Sequence, residues 1–157
     1  MITKTRHIPD GKEILKKLPL IHHTEAEYLY YPITNQRCPE GETCVVFGQF
    51  VKVGEVIGTR KGAFFEQPIH STVSGEVVGH EMKFDQSGKR VDCMIVKNDF
   101  KYELHESVQS RTDWEIDRLT QKDFVEIAKN AGLVGLGGSG FPTYIKLNTK
   151  NPVNIVL

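Results

Sequence analysis

The glycine-rich segment at residues 131–147 carries the residue types best suited to hold a ligand. Four glycines fall within six residues of it: Gly135, Gly137, Gly138 and Gly140. Glycine tolerates positive φ and lets a ligand approach the backbone amides without an intervening Cβ. A run of amides that leads into a helix favours anions, and Pro142 suits the first turn of such a helix. Lys146 lies where it could reach back toward a phosphate or an electron-rich ring. The segment indicates an anion-binding loop, and a flexible turn is the alternative.

Two familiar nucleotide-binding patterns do not account for this segment. Gly135, Gly137 and Gly140 match G-x-G-x-x-G, but that fingerprint needs a preceding strand and an acidic residue about 20 positions later. A helical pattern precedes the glycines, and no Asp or Glu follows Gly140. A Walker phosphate loop is also excluded, because the sequence contains no G-x-x-x-x-G-K-[ST].

A helix that begins after Thr120 would position this loop. Thr120 is a suitable N-cap, and Asp123 favours the positive end of the helix. The apolar positions Phe124, Ile127, Ala128 and Ala131 recur at helical spacing. Gly132 is the expected C-terminal cap.

Upstream of this helix the sequence predicts a β-rich domain over about 28–100. Short apolar runs punctuated by glycine predict strands at 43–47, 49–54, 55–59, 63–70 and 72–82, and a hairpin at 87–99 with Gly88 in its turn. Closely spaced strands without helices between them predict a small β-sandwich or barrel. A short helix is expected within 11–20, ended by Pro19. Residues 101–119 form a polar connector with Trp114 as an aromatic anchor, and 151–157 begin a strand.

Composition excludes several classes of function. Lys plus Arg and Asp plus Glu both total 20, so no basic excess favours nucleic acid. No apolar stretch approaches the roughly 20 residues of a membrane span, and residues 1–13 lack the apolar core of a secretory signal. We therefore expect a cytoplasmic location. Three cysteines are too few for a disulfide framework or a four-ligand metal site, which favours reduced thiols.

Two further chemistries are weaker alternatives. Lys61 lies in a turn between two predicted strands; the lipoyl-like topology implied by the family resemblance given below would place it near the turn whose lysine is modified in carrier domains, but its neighbours favour an ordinary solvated turn. His70 and His80 could be imagined as a metal pair, yet no third ligand has suitable spacing, so structural roles are favoured.

The segment GLGGSGFPTYIKL resembles the G-x-G-G-A-G-F-P-T-x-x-K motif shared by the flavoprotein subunit of respiratory complex I and the C subunits of Rnf complexes, with Ser139 replacing alanine. Three upstream segments are similar to the barrel-sandwich domain of Rnf C subunits: HIPDGKE, VKVGEVIG and PIHSTVSGEVVGHE. Around Cys38–Cys44 the chain departs from the usual Rnf C sequence, in which a histidine–isoleucine–glycine segment is common. This departure points to a divergent branch, such as one serving the proline reductase system of anaerobes.

The resemblance implies the fold class: a mainly β barrel-sandwich hybrid (biotinyl/lipoyl-like), followed by the start of an α/β flavin-binding domain. The expected division is a barrel domain over 1–100, a connector over 101–119 and the truncated flavin domain over 120–157. In that family the glycine loop lies against FMN and the matching lysine contacts it. The implied cofactor-binding residues are Gly135, Gly137, Gly138, Ser139, Gly140 and Lys146, with no catalytic residue and no metal ligand.

The resemblance also implies the wider function. The parent protein would oxidise NADH through FMN and pass electrons to iron–sulfur clusters or partner subunits, in a membrane-peripheral complex or a soluble reductase. The remaining flavin contacts, the NADH pocket and any iron–sulfur cysteines are expected after Leu157. We expect the 157-residue chain to be inactive alone and to hold no cofactor tightly. The alternative function is a cofactor-free docking module.

Overall fold

Two antiparallel sheets surround one apolar core in the computed structural model, which describes residues 12–21, 25–85, 87–135 and 140–150. The strands, in chain order, are β1 Tyr28–Pro32, β2 Glu40–Thr43, β3 Phe50–Val51, β4 Val56–Lys61, β5 Glu66–His70, β6 Gly75–Phe84 and β7 Arg90–Asn98. One sheet has the order β1-β7-β6-β3 and the other the order β2-β4-β5. This arrangement confirms the predicted β-rich domain.

The core draws side chains from both sheets. Val51, Ile57, Met94 and Val96 are fully buried, and Tyr31, Ile69 and Val77 pack with them. Because side chains of a strand alternate between its faces, β1 and β3 to β7 each contribute one or two residues to this core, whereas β2 contributes none. Register shifts at Val56/Gly58 and Val77/Gly79 interrupt the ladders, as β-bulges do when small sheets bend around a core.

The strand predicted at 43–47 is wrong. The chain pairs at Glu40–Thr43 instead, and in the apolar run that prompted the prediction Val45 is buried in the core while Phe47 lies in a turn. Val46 and Phe47 are 69% and 77% exposed. Strand β2 lies at the edge of its sheet with one face in solvent, so its polar sequence is compatible with pairing.

The described helices are α1 Lys12–Leu15, α2 Asp113–Ile116, α3 Gln121–Asn130 and α4 Thr143–Leu147. Helix α1 confirms the short helix expected within 11–20, but it ends at Leu15 and is not ended by Pro19. Among the described residues, no helix has the length and apolar character needed to cross a membrane. The strand expected at 151–157 lies outside the described residues.

The first part of the connector is bonded to the barrel. The Val53 amide donates to Glu103 O, and the His105 amide donates to Val53 O, both at 2.9 Å. These bonds flank a parallel bridge between Val53 and Leu104. Trp114 is not the predicted anchor: it is 65% exposed, and the Arg118 guanidinium carbon lies 3.5 Å from its ring centroid. An aromatic side chain in a charged stretch is stabilised here by a local cation, without burial.

Candidate ligand-binding site at the glycine-rich loop

Helix α3 leads into the glycine-rich loop with the predicted caps at both ends. Thr120 accepts the Asp123 amide, and the Asp123 carboxylate accepts the Thr120 amide, so the N-terminus carries a capping box. At the other end the Leu133 amide donates to Ala128 O and the Gly132 amide to Lys129 O. With Gly132 at φ +64°, this is a Schellman motif. The predictions for Thr120, Asp123 and Gly132 are confirmed.

The neck of the loop, residues 133–135 and 140–143, is closed by backbone hydrogen bonds. The Gly135 amide donates to Phe141 O at 3.1 Å, and the Gly140 amide donates to Gly135 O at 3.2 Å. A bridge joins Val134 to Pro142, and Gly140 has φ +55°. The described ends of the loop are therefore paired with each other, and residues 141–143 lie beside the residues that follow α3.

The hydrogen bonds of the neck remove two backbone amides from the predicted anion site. The Gly135 and Gly140 amides are used inside the loop, so they are not the donors that the pattern suggested. Gly137, Gly138 and Ser139 lie outside the described residues. Pro142 is the buried residue before α4 and not part of its first turn. Helix α4 has only five residues, so the expected contribution of its N-terminus is small.

Strand β5 of the barrel supports the loop. The Phe65 and Phe141 rings meet edge to face at 6.3 Å, and Gln67 Nε2 donates to Gly132 O at 3.3 Å. An added Cβ on Gly132 would lie 2.9 Å from Pro68 O. The sequence analysis missed these contacts. Gln67 could have predicted such a contact, because it is a polar residue two positions from the core residue Ile69 and on the same face of β5.

Helix α4 places Lys146 beside the loop. The Gln121 amide group donates to Leu147 O at 2.9 Å and to Thr149 O at 2.8 Å, which fixes the end of α4 against the start of α3. Lys146 Nζ lies 6.0 Å from the centroid of the Phe141 ring, and the Lys146 side chain is exposed. Phe141 follows Gly140 directly, so the ammonium group is near the neck of the loop.

A second cation lies at the same ring. The Arg37 guanidinium carbon is 6.0 Å from the Phe141 centroid. Arg37 belongs to a turn of the barrel in which Asn35 Oδ1 accepts the amides of Arg37 and Cys38 at 2.9 and 2.8 Å. Sequence reasoning missed Arg37, which lies about a hundred positions before Phe141.

The two cations suit a phosphate-bearing ligand along one wall, because ammonium and guanidinium groups are the usual partners of a phosphate. Two apolar side chains on and directly after α3 are also exposed: Phe124 is 47% exposed and Leu133 is 51% exposed. The described residues supply one side of a pocket.

Other candidate groups have structural roles. Cys38, Cys44 and Cys93 are free thiols, and burial raises the pKa of each. His80 Nδ1 lies 3.1 Å from Asp92 Oδ2. Within the residues that the structure describes, no three His, Cys, Asp or Glu side chains are grouped to hold a metal ion.

Lys61 lies at the end of β4, where its ammonium group pairs with Glu42 at 2.8 Å. Lys61 is therefore the last residue of the central strand of its sheet and not part of the predicted turn, but its half-exposed ion pair agrees with a solvated side chain.

A separate cleft of about 790 Å³ lies between the barrel, the connector and α3. Val108, Arg111 and Ile127 line it, with His70 at its barrel side. Burial lowers the pKa of His70 below its ordinary 6.5. The cleft therefore favours a neutral imidazole.

The two small sheets around one core define a barrel-sandwich domain, which is followed by a capped helix and a glycine-rich segment whose described ends contact the barrel. The RnfC barrel-sandwich hybrid domain model matches residues 2–101. The chain belongs to this RnfC family, which confirms the resemblance and the barrel-sandwich fold.

Curated relatives extend the similarity past the barrel. The chain is 30% identical over 144 residues to the C subunit of the Na⁺-translocating ferredoxin:NAD⁺ oxidoreductase complex of Acetobacterium woodii, covering 90% of this chain and 31% of the relative. It is 29% identical over 147 residues to the C subunit of an ion-translocating oxidoreductase complex of Edwardsiella ictaluri, covering 90% and 17%. The C subunit of a proton-translocating ferredoxin:NAD⁺ oxidoreductase complex of Clostridium ljungdahlii is 26% identical over 141 residues, covering 90% and 30%. The chain spans less than a third of the length of each.

Proposed function

We propose that this chain is the barrel and the first part of the flavin site of an electron-transfer subunit. In the complete protein the glycine loop and Lys146 hold FMN, NADH delivers a hydride, and electrons pass to iron–sulfur clusters or partner subunits. The observation that carries the proposal is the neck of the glycine loop: its described ends are paired by backbone hydrogen bonds and contact an RnfC barrel, with an exposed ammonium group beside them. The relatives' names, which describe ferredoxin:NAD⁺ oxidoreductase complexes, support the same function.

The proposal assigns a task to each described part. The barrel over 1–100 supports the loop through Phe65 and Gln67, the connector over 101–119 joins it to α3, and 120–157 begin the flavin domain. Lys146 binds the flavin electrostatically and the loop glycines allow its close approach. FMN, when bound, supplies the conversion between two-electron and one-electron transfer. The partners are other subunits of a complex or of a reductase, at the cytoplasmic side.

The proposal is tested by FMN titration of the complete natural protein and its variants. Lys146→Ala should weaken FMN binding by about 10- to 100-fold, because charge-assisted hydrogen bonds contribute roughly 1.5–3 kcal/mol. Gly138→Ala should also weaken it, since a methyl group obstructs the approach of the ring to the backbone.

Lys150→Ala is the matched control, because it removes a nearby exposed charge outside α4. Circular dichroism verifies that each variant is folded. If both loop variants bind FMN as tightly as the wild type, the segment is only a turn and the proposal fails.

A cofactor-free docking module is the second candidate. The exposed apolar side chains of Phe124, Leu133 and Leu147 favour it, because exposed apolar side chains suit a protein contact. A complete protein that is folded and colourless, and that binds no FMN in titration, would establish this alternative over the first.

A further inference from the structure

Two cations from distant parts of the chain share one aromatic ring at the glycine loop. Arg37 comes from the barrel and Lys146 from α4, and each charged group lies 6.0 Å from the Phe141 centroid. Both side chains are exposed, so a bound anion can reach them. Arg37 takes part in further contacts within the protein, and its five donors allow more than one partner.

The backbone under Arg37 is fixed relative to the loop. An added Cβ on Gly62 would lie 2.9 Å from Arg37 O and 2.8 Å from Phe65 Cζ, so the turns at 35–38 and 62–65 interlock. Phe65 is buried and packs on Phe141. The contact path from Arg37 to Phe141 therefore runs through close-packed groups of the barrel.

We propose that Arg37 and Lys146 together bind the phosphate of the ligand at the glycine loop. The barrel then supplies part of the cofactor site and is more than a support for it. A guanidinium group matches the geometry of a phosphate with two parallel hydrogen bonds, and a second positive charge complements a dianion. This inference rests on the proposed function, because it assigns the phosphate end of the same ligand.

The test compares FMN with riboflavin, which differ only by the phosphate, on the complete natural protein. Arg37→Gln should weaken FMN binding by about 10- to 100-fold and change riboflavin binding less than about twofold. Arg37→Lys keeps the charge and should recover part of the FMN affinity. Arg90→Gln, at the exposed start of β7, is the matched control and should leave both affinities unchanged.

The outcomes separate the two proposals. Equal weakening of FMN and riboflavin by Arg37→Gln, or no weakening of either, would overturn the role of Arg37 while leaving FMN binding intact. A wild type that binds both flavins equally well would also overturn it. A wild type that binds neither flavin would remove the proposed function and this inference together.

A titration with NADH in the absence of flavin distinguishes the flavin phosphate from a dinucleotide pyrophosphate. Loss of NADH binding in Arg37→Gln, with FMN binding unchanged, would contradict the assignment. Thermal unfolding of every variant verifies that the barrel is intact. If Arg37→Gln does not fold, Arg37→Lys is used instead, and its ratio of FMN affinity to riboflavin affinity is compared with that of the wild type. An unchanged ratio would contradict a phosphate contact.

Discussion

Gly54 and Gly88 have similar backbone angles and different surroundings. Their φ values are +83° and +77°, in the region that disfavours a Cβ. At Gly54 an added Cβ would lie 2.2 Å from Val108 Cγ2, whereas at Gly88 it would meet no atom within 4 Å. Gly88→Ala should lower the unfolding free energy by about 1 kcal/mol, and Gly54→Ala by about 1–3 kcal/mol more. Urea denaturation measures both, and equal losses would show that Val108 moves away freely.

His70 should make stability depend on pH. Burial lowers the pKa of His70 in the folded state below its ordinary 6.5. The unfolded chain therefore binds the proton first, and stability is lost as the pH falls through 6.5 toward the lower folded value. The unfolding free energy of the wild type should fall more steeply than that of His70→Gln between about pH 7.5 and pH 5.5. Urea denaturation measures both proteins at each pH. If the unfolding free energies of the wild type and His70→Gln fall in parallel, the acid sensitivity belongs to other groups.

At the scale of the element, α3 depends on its N-cap. Ala128 is the buried residue of the helix, so packing alone holds it weakly. Thr120→Ala removes the capping box and should lower helix stability by about 1 kcal/mol, a roughly fivefold rise in amide exchange along α3. Exchange in β7 should not change. Thr112→Ala removes the equivalent box of α2 and should affect α2 alone. Faster exchange throughout the barrel in Thr120→Ala would contradict this local role.

The elements also show what could be read from the sequence. Helix α3 and its caps were predicted because Thr120, Asp123 and Gly132 act within a few residues of each other. The strand at 43–47 was predicted wrongly, because an apolar run does not show whether its side chains meet a sheet. The docking of the loop on Phe65 and the place of Arg37 depend on pairing between distant residues. Local patterns carry no information about such pairing.

At the scale of the whole molecule, the described residues form one wall of the proposed site. Ligand pockets usually bury about 70–90% of a ligand, which one wall cannot do. The isolated 157-residue chain should therefore bind FMN weakly or not at all, with a dissociation constant at least about 100-fold above that of the complete protein. Absorbance spectra after gel filtration measure how much FMN the chain retains. A stoichiometric yellow complex would contradict the prediction.

The bridge between Val53 and Leu104 bears on how this domain can be exchanged among its relatives. The match to the family ends at residue 101, before the segment that bonds to Val53. A barrel excised at that boundary would lose the partners of the Val53 amide and carbonyl, and Gly54 would lose its cover by Val108. The domain matched by the family model therefore ends before contacts that complete the barrel. If the barrel is grafted onto another protein without residues 103–108, the recipient has to supply the contacts that these residues make.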